Sequence, residues 1–284
     1  MLLASLSFAF MGGFAKELSQ SLPPLEVTFF RNVFGVIFVV ASLKKYPLLQ
    51  RGGKPWLLLF RGTIGFLALL AYFYDFAHIP LANAVTYNKT SPIFVAIFAY
   101  LFLGERLSRT GWLAVAIGFV GIVLIAQPSG IHFGKYDLLG IFSGIGAGLA
   151  YTSIRELRRY YDTRAIVLSF MGVGTLGPVL LMIISEYVTL PQWDFLFARF
   201  VWPTGYLWLY ALAVGTFATA SQLLMTKAYE LTQAGIVGTV SYSNIVFALF
   251  IGLFLGDPFP DLWTGLGMVL VIGSGLMVAV RRSA

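Results

Sequence analysis

The sequence predicts an all-α membrane protein: ten transmembrane helices, arranged as two five-helix repeats of inverted topology, with both termini cytoplasmic. Three observations predict it. The 284 residues are 58% hydrophobic and 11% charged, with a mean hydropathy of +0.84. A soluble domain of this length does not carry that composition. The segment 82–104 recurs without a gap, 152 positions later, as 234–256. The copies share Ala82/Ala234, Val85/Val237, Ser91/Ser243, Ile93/Ile245, Ala96/Ala248, Phe98/Phe250 and the run 101–104/253–256, ten identities in 23 positions. An acid follows each copy, Glu105 and then Asp257. Finally, the basic residues gather on one side of the alternating spans, which sets the orientation.

Apolar runs of roughly 20 residues cross a ~30 Å hydrocarbon core. They lie near 2–19, 25–43, 56–76, 81–103, 110–126, 137–157, 164–186, 204–226, 234–255 and 262–280. The runs are continuous rather than alternating, which argues against a porin-like barrel. The 30 glycines suit helices that approach closely. On the sixth span Gly140, Gly144 and Gly148 form two small-xxx-small steps, open to static packing or to sliding during gating, and Gly252 to Gly256 reads the same way. Between the seventh and eighth spans, Trp193, Phe195, Phe197, Phe200 and Trp202 are spaced as a segment lying in the membrane interface, either an anchor or a cap over the outer mouth.

With the amino terminus inside, the inner side carries Lys44, Lys45, Arg51, Lys54, Arg106, Arg109, Arg155, Arg158, Arg159, Arg164, Lys227, Arg281 and Arg282. The outer side carries Lys16, Lys135 and Arg199, so the balance is 13 against 3. Arg31, Arg61 and Lys89 fall within spans. Five spans per half is an odd number, so the halves 1–127 and 128–284 face opposite ways. No cleavable signal peptide is expected, because the start lacks a basic region and a small-residue cleavage site.

Composition also excludes functions. The chain has no cysteine, so disulfides and thiol catalysis are absent. His78 and His132 fall in different outer loops, which suggests no metal site and no histidine-based catalytic set. There is no GxxxxGK[ST] phosphate loop, so ATP-driven transport by this chain alone is not expected. The net charge of +7 is scattered over short loops, which is an orientation signal rather than a nucleic-acid surface. No enzyme activity and no cofactor are predicted. Duplicated apolar halves around polar midplane residues point instead to a secondary carrier.

The two halves, with Phe102-Leu103-Gly104-Glu105 and Phe254-Leu255-Gly256-Asp257, together with Pro80 and Pro92 and the glycine-rich fifth and tenth spans, resemble the drug/metabolite transporter superfamily in its ten-helix, EamA-type branch. Phe29-Phe30-Arg31-Asn32, Arg61-Gly62 and Tyr72-Phe73-Tyr74 followed by Pro80-Leu81 are similar to its S-adenosylmethionine uptake branch. The second copy departs from the pattern in ending on Asp257-Pro258 instead of glutamate. The resemblance implies a central cavity lined mainly by spans one, three, four, six, eight and nine, opened alternately by rocking of the halves.

Lys89 is the leading site residue. Eight residues past Leu81, at 1.5 Å each, it lies ~12 Å into the core. Its counterpart is Ser241, so the charge breaks the repeat. An ammonium at that depth requires an anion, water or a carboxylate; a substrate carboxylate or phosphate and a structural pair with Asp75 or Glu26 are both open. Asn83, Tyr87 and Thr90 share one helical face near it, with Thr86 beside them, and Tyr242 and Asn244 occupy the matching region of the second repeat. Gln222 and Tyr151 are uncharged lining candidates on spans eight and six. Arg31 and Asp75 are candidates for coupling or an ion pair, and Arg61, near an inner end, is expected to snorkel to the interface. The expected function is transport of a small carboxylate-bearing metabolite: an amino acid, an S-adenosylmethionine-like zwitterion or an organic acid. Protons are a candidate coupling ion, the setting is the bacterial inner membrane, and the carrier acts as a monomer or homodimer. Export of hydrophobic or cationic drugs is the alternative, and it requires a deep acid that the sequence does not place.

Overall fold

A computed structural model describes residues 1–45, 52–104, 109–126, 134–188, 193–231 and 240–281, and every regular element among them is helical. In chain order these are α1 (Leu2–Leu18), α2 (Pro24–Lys45), α3 (Pro55–His78), α4 (Leu81–Asn88), α5 (Ser91–Leu103), α6 (Arg109–Ala126), α7 (Lys135–Leu157), α8 (Thr163–Ser185), α9 (Leu207–Leu231), α10 (Ser243–Phe254) and α11 (Leu262–Arg281). Five of them, α2, α3, α7, α8 and α9, contain stretches long and apolar enough to cross a membrane, and α6, α10 and α11 are shorter apolar helices. Glu105, Arg51, Arg106, His132 and Arg282, which entered the sequence reading, lie outside the described residues.

The fourth apolar run is not one helix. It stops at Asn88, turns through Lys89 and Thr90, and restarts at Ser91. Pro92 supplies the reason, since its ring would collide with the carbonyl of Asn88 and it has no N–H for a continuous helix. In the first turn of a new helix the missing N–H costs nothing. A second interruption falls at Tyr242, where residues 240 and 241 are helical and α10 begins at Ser243. Thr90 and Tyr242 are 152 positions apart, and each carbonyl accepts from the residue three ahead, Ile93 at 2.9 Å and Ile245 at 3.0 Å.

The repeated Phe-Leu-Gly-acid ending is a helix stop. Gly256 at φ +91° closes α10, with the Asp257 amide donating to the Gly252 carbonyl (2.8 Å) and the Gly256 amide to Leu253 (3.1 Å), a Schellman motif. Gly104 ends α5 at φ +67°, where a side chain would be strained.

Helix packing comes in matched sets: α3 lies on α7 as α9 lies on α1; α5 on α7 as α10 on α1; α3 on α8 as α9 on α2; and α2–α8 and α6–α11 pair directly. Small residues allow these approaches. Gly121 of α6 and Gly267 of α11 meet backbone to backbone, each carbonyl filling the space a Cβ would need on the other. The main core joins α1, α3, α4, α6, α9, α10 and α11 through Met11, Phe73, Tyr87, Ile122, Val214, Ile245 and Val271. The aromatic segment between α8 and α9 docks on helix ends, with Phe195 against Tyr74 and Trp202 against Trp208 of α9.

Candidate functional site

The interruption at Lys89–Thr90 packs on the glycine stripe of α7. A Cβ at Gly140 would lie 2.5 Å from the Tyr87 ring, and one at Gly144 would meet the Thr90 hydroxyl and, at 2.7 Å, the Tyr87 carbonyl. The stripe therefore lets α7 sit against the open turn. Thr90 Oγ1 donates to the Tyr87 carbonyl (2.6 Å), tying off the end of α4, and the Tyr87 phenol donates to Asp137 Oδ1 on the first turn of α7 (2.7 Å). Both side chains are buried, and their hydroxyls are committed to the fold in this conformation. Thr86 likewise donates to the Ala82 carbonyl, and Asn88 to Ser143 of α7.

Lys89 points the other way, toward α1, with Nζ 6.0 Å from the centre of the Phe8 ring. Among the described residues it has no ion-pair partner, so neither Asp75 nor Glu26 neutralises it. A lone ammonium over an aromatic face is weakly stabilised by the ring, on the order of 0.5–2 kcal/mol, well below the cost of burying the charge. Its position at the carboxyl end of α4 adds a small favourable helix-dipole contribution.

The remaining candidates are dispersed. Asn244, on the first turn of α10, is 3% exposed and its Oδ1 has no partner. Tyr242 is buried in the second interruption against Gly275 of α11. Gln222 is half-buried on α9, and Tyr151 is 47% exposed on α7. Asn83 sits near the opposite end of α4 from Lys89, in a cavity of about 320 Å³ lined also by Asp257, Phe259, Leu249 and Thr264. One constellation therefore does not contain all eight.

Three arrangements were not legible as such in the sequence. The first is a contact that ties the end of α10 to α1 and α4. Asp257 pairs with Lys16 of α1 through Oδ1, and its Oδ2 accepts from the Leu81 amide at the start of α4 (2.8 Å), while Lys16 also donates to the Ile79 carbonyl (3.2 Å). The pair is mostly buried, with side chains 15% and 13% exposed. The repeated acid is its only sequence signal.

The second is a buried carboxylate. Asp75 is fully buried, both its oxygens lack a hydrogen-bond partner, and it lies against Gly140 near Asp137. It is not paired with Arg31, so the ion pair expected as one option is not formed. Asp75, a coupling candidate in the sequence, is thus an acid buried inside the protein near the end of α3. Glu26 is a further buried acid; its Oε2 accepts from the Val201 amide of the aromatic segment before α9 (3.0 Å).

The third corrects the expectation for Arg61. It does not snorkel: it is 7% exposed and stacks on Phe170 of α8 at 4.8 Å, and Arg31 of α2 stacks on the same ring at 5.3 Å. The two charges therefore lie within about 10 Å, where they repel by on the order of 2 kcal/mol at an effective dielectric constant near 20.

Outside the spans, charges staple helix ends together. Lys54, before α3, pairs with Glu156 at the end of α7 (2.7 Å), and this hydrogen bond raises the Lys54 pKa and lowers that of Glu156. At the other end, Asp194 pairs with Lys135 and accepts from the Tyr74 phenol (2.7 Å). Partial burial pushes the Asp194 carboxyl up, but those hydrogen bonds outweigh it and hold it below the usual range.

These features have relatives. The pseudopaline exporter CntI of Pseudomonas aeruginosa is 34% identical, aligned over 95% of this chain and 91% of its own length. An S-adenosylmethionine uptake transporter of Rickettsia bellii is 23% identical over 93% of this chain and 86% of its own. A crystal structure at 19% identity superposes with a TM-score of 0.57 over 99% of both chains, which shows a shared fold. The EamA-like transporter family matches twice, at residues 1–127 and 134–280, and to that family of integral membrane transporters, not enzymes, this chain belongs.

Proposed function

We propose that the chain is a secondary carrier of the bacterial inner membrane that moves a small carboxylate-bearing metabolite by alternating access. Its ten spans form two inverted five-helix repeats, 1–127 and 128–284, with both termini cytoplasmic. The matched helix pairings and the two interruptions 152 residues apart support the repeat. The single observation that carries the substrate class is Lys89: an ammonium without an ion-pair partner among the described residues, set at a helix interruption. Interrupted helices near the midplane are where carriers of this design hold substrate. Lys89 holds the anionic group, while Asn244, Gln222 and Tyr151 shape the pocket. Tyr87, Thr90, Asn83 and Tyr242 complete it as the halves move and their present contacts exchange. In the conformation described, the Lys16–Asp257 latch closes the outer side.

The test is counterflow of labelled carboxylates, with succinate and glutamate first, into proteoliposomes. Carboxylate exchange by the natural protein and its loss in Lys89→Ala support the reading; a Lys89→Ala protein that folds and exchanges at the normal rate sinks it. Asp75 favours a second reading, because a fully buried carboxylate with unpartnered oxygens suits a proton or a cationic substrate. Transport of ethidium that is abolished by Asp75→Asn and untouched by Lys89→Ala would establish drug export instead.

A further inference from the structure

We infer that Arg31 and Arg61 form an oxyanion subsite, for a dicarboxylate or phosphate group, at the contact between the two halves of the carrier. The inference rests on the carrier reading above but not on Lys89. Both guanidiniums are more than nine-tenths buried. Arg31 Nε and both Nε and Nη1 of Arg61 have no hydrogen-bond partner, and the single described bond of the pair runs from Arg31 Nη1 to Asn32 Oδ1 (2.8 Å). Among the described residues neither makes an ion pair; their ionisable neighbours are each other and Tyr151. Two like charges are thus held close together with no acid to neutralise them. A buried charge persists only when something compensates it.

The surroundings are shaped for these two groups. Phe170 presents one ring to both. Gly65 leaves room for Arg61, since a Cβ there would meet Arg61 Nη1 and come within 3.0 Å of Phe170. Gly174 leaves room for Asn32, whose amide donates to the Thr28 and Gly174 carbonyls and so turns Oδ1 toward Arg31. The elements come from both halves: α2 and α3 carry the arginines, α7 and α8 carry Tyr151 and Phe170. Tyr151, a neighbour of both arginines, is 47% exposed. A guanidinium presents a planar fork of donors that matches carboxylate and phosphate oxygens, which an ammonium does not. Two such forks call for a doubly charged oxyanion rather than a halide or a monocarboxylate.

The experiment is thermal unfolding of the purified full-length protein in detergent, titrated with succinate, inorganic phosphate, acetate, chloride and phosphatidylglycerol. The variants are Arg31→Met, Arg61→Met, the corresponding lysine substitutions and Lys89→Ala. Succinate or phosphate is expected to raise the melting temperature of the natural and Lys89→Ala proteins, with acetate and chloride much weaker. Made in the Lys89→Ala background, the methionine variants should fold, melt at or above the ligand-free Lys89→Ala protein because an uncompensated charge is gone, and lose the anion response. The lysine variants, which keep charge but lose the fork, should bind at least tenfold more weakly and cover the case where methionine prevents folding. Stabilisation by phosphatidylglycerol alone assigns the arginines to a lipid headgroup and overturns the proposal, as does an anion response unchanged in every arginine variant or no response to any dianion. Failure of the carrier reading looks different: no carboxylate counterflow, with the arginine-dependent stabilisation intact.

Discussion

At Thr90 and again at Tyr242 a helix stops and restarts, and the two places are built by different means. In the first half Pro92 enforces the break; the corresponding position in the second half is Asn244, which can donate its backbone N–H. In the first half the turn carries Lys89, a half-buried charge, whereas the equivalent position is Ser241. In the first half the helix on the other side is α7 with its glycine stripe, and in the second it is α1, where a Cβ at Gly13 would lie 2.7 Å from Ile251 Cγ2. The backbone is duplicated and the chemistry is not. On the proposed carrier reading, the repeat offers two equivalent ways of tilting, and the asymmetric charge one place to hold an anion.

The largest expected effect breaks the link between the two interrupted helices. Asp257, just past α10, holds both Lys16 and the first amide of α4. Asp257→Asn leaves Lys16 mostly buried and unpaired, a loss of about 3 kcal/mol, and should shift the population toward the outward-open state. Because the natural chain has no cysteine, a single Asn83→Cys provides the readout: maleimide labelling from outside should rise severalfold in the Asp257→Asn background, and unchanged labelling would remove the latch from the mechanism.

Making the halves alike at the turn is the next test. Lys89→Ser copies the second repeat into the first. Losing a charge-assisted hydrogen bond costs about 1.5–3 kcal/mol, so carboxylate affinity in the counterflow assay should fall roughly ten- to a hundredfold. Unchanged affinity would leave the asymmetry without a function.

Packing on the two sides should also differ. Gly144→Ala drives a methyl into the Thr90 hydroxyl and the fixed Tyr87 carbonyl, and overpacking of this kind costs about 1–3 kcal/mol. Gly13→Ala meets Ile251 Cγ2 and, at 3.5 Å, Leu255 Cδ1, side-chain atoms rather than backbone, and should cost less. Gly172→Ala on α8 has open space and should stabilise by about 0.4–1 kcal/mol. Melting temperatures of the three variants check the order.

The smallest effect lies at the Asp194–Lys135 staple. The Asp194–Lys135 pair is nearly half exposed, so Asp194→Asn should cost no more than about 1 kcal/mol. The Asp194 carboxyl is held below its ordinary range, so its contribution is present above the unfolded-state pKa and disappears as pH falls through the lowered one. The melting temperatures of the natural and Asp194→Asn proteins should converge on acidification, and a constant gap would assign the difference to another cause.

Much of this was legible in the chain. The helical class follows from composition, because a backbone in hydrocarbon must satisfy its own hydrogen bonds and long apolar runs do so as helices. The repeat follows from ten shared residues, and its Phe-Leu-Gly-acid ending is a helix stop whose glycine the left-handed backbone requires. Lys89 stood out because charge inside an apolar run is costly wherever the chain goes. What only tertiary structure decided was pairing. Whether Tyr87 faces a ligand or Asp137, whether Arg61 reaches the interface or shares Phe170 with Arg31, and which group Asp257 meets 241 residues away are settled by helix crossings. Hydropathy and spacing are properties of one segment, but a partner is a property of two. The angle at which two helices cross is set by the small and large residues along both, so the sequence of either helix alone cannot say what its polar side chains will touch.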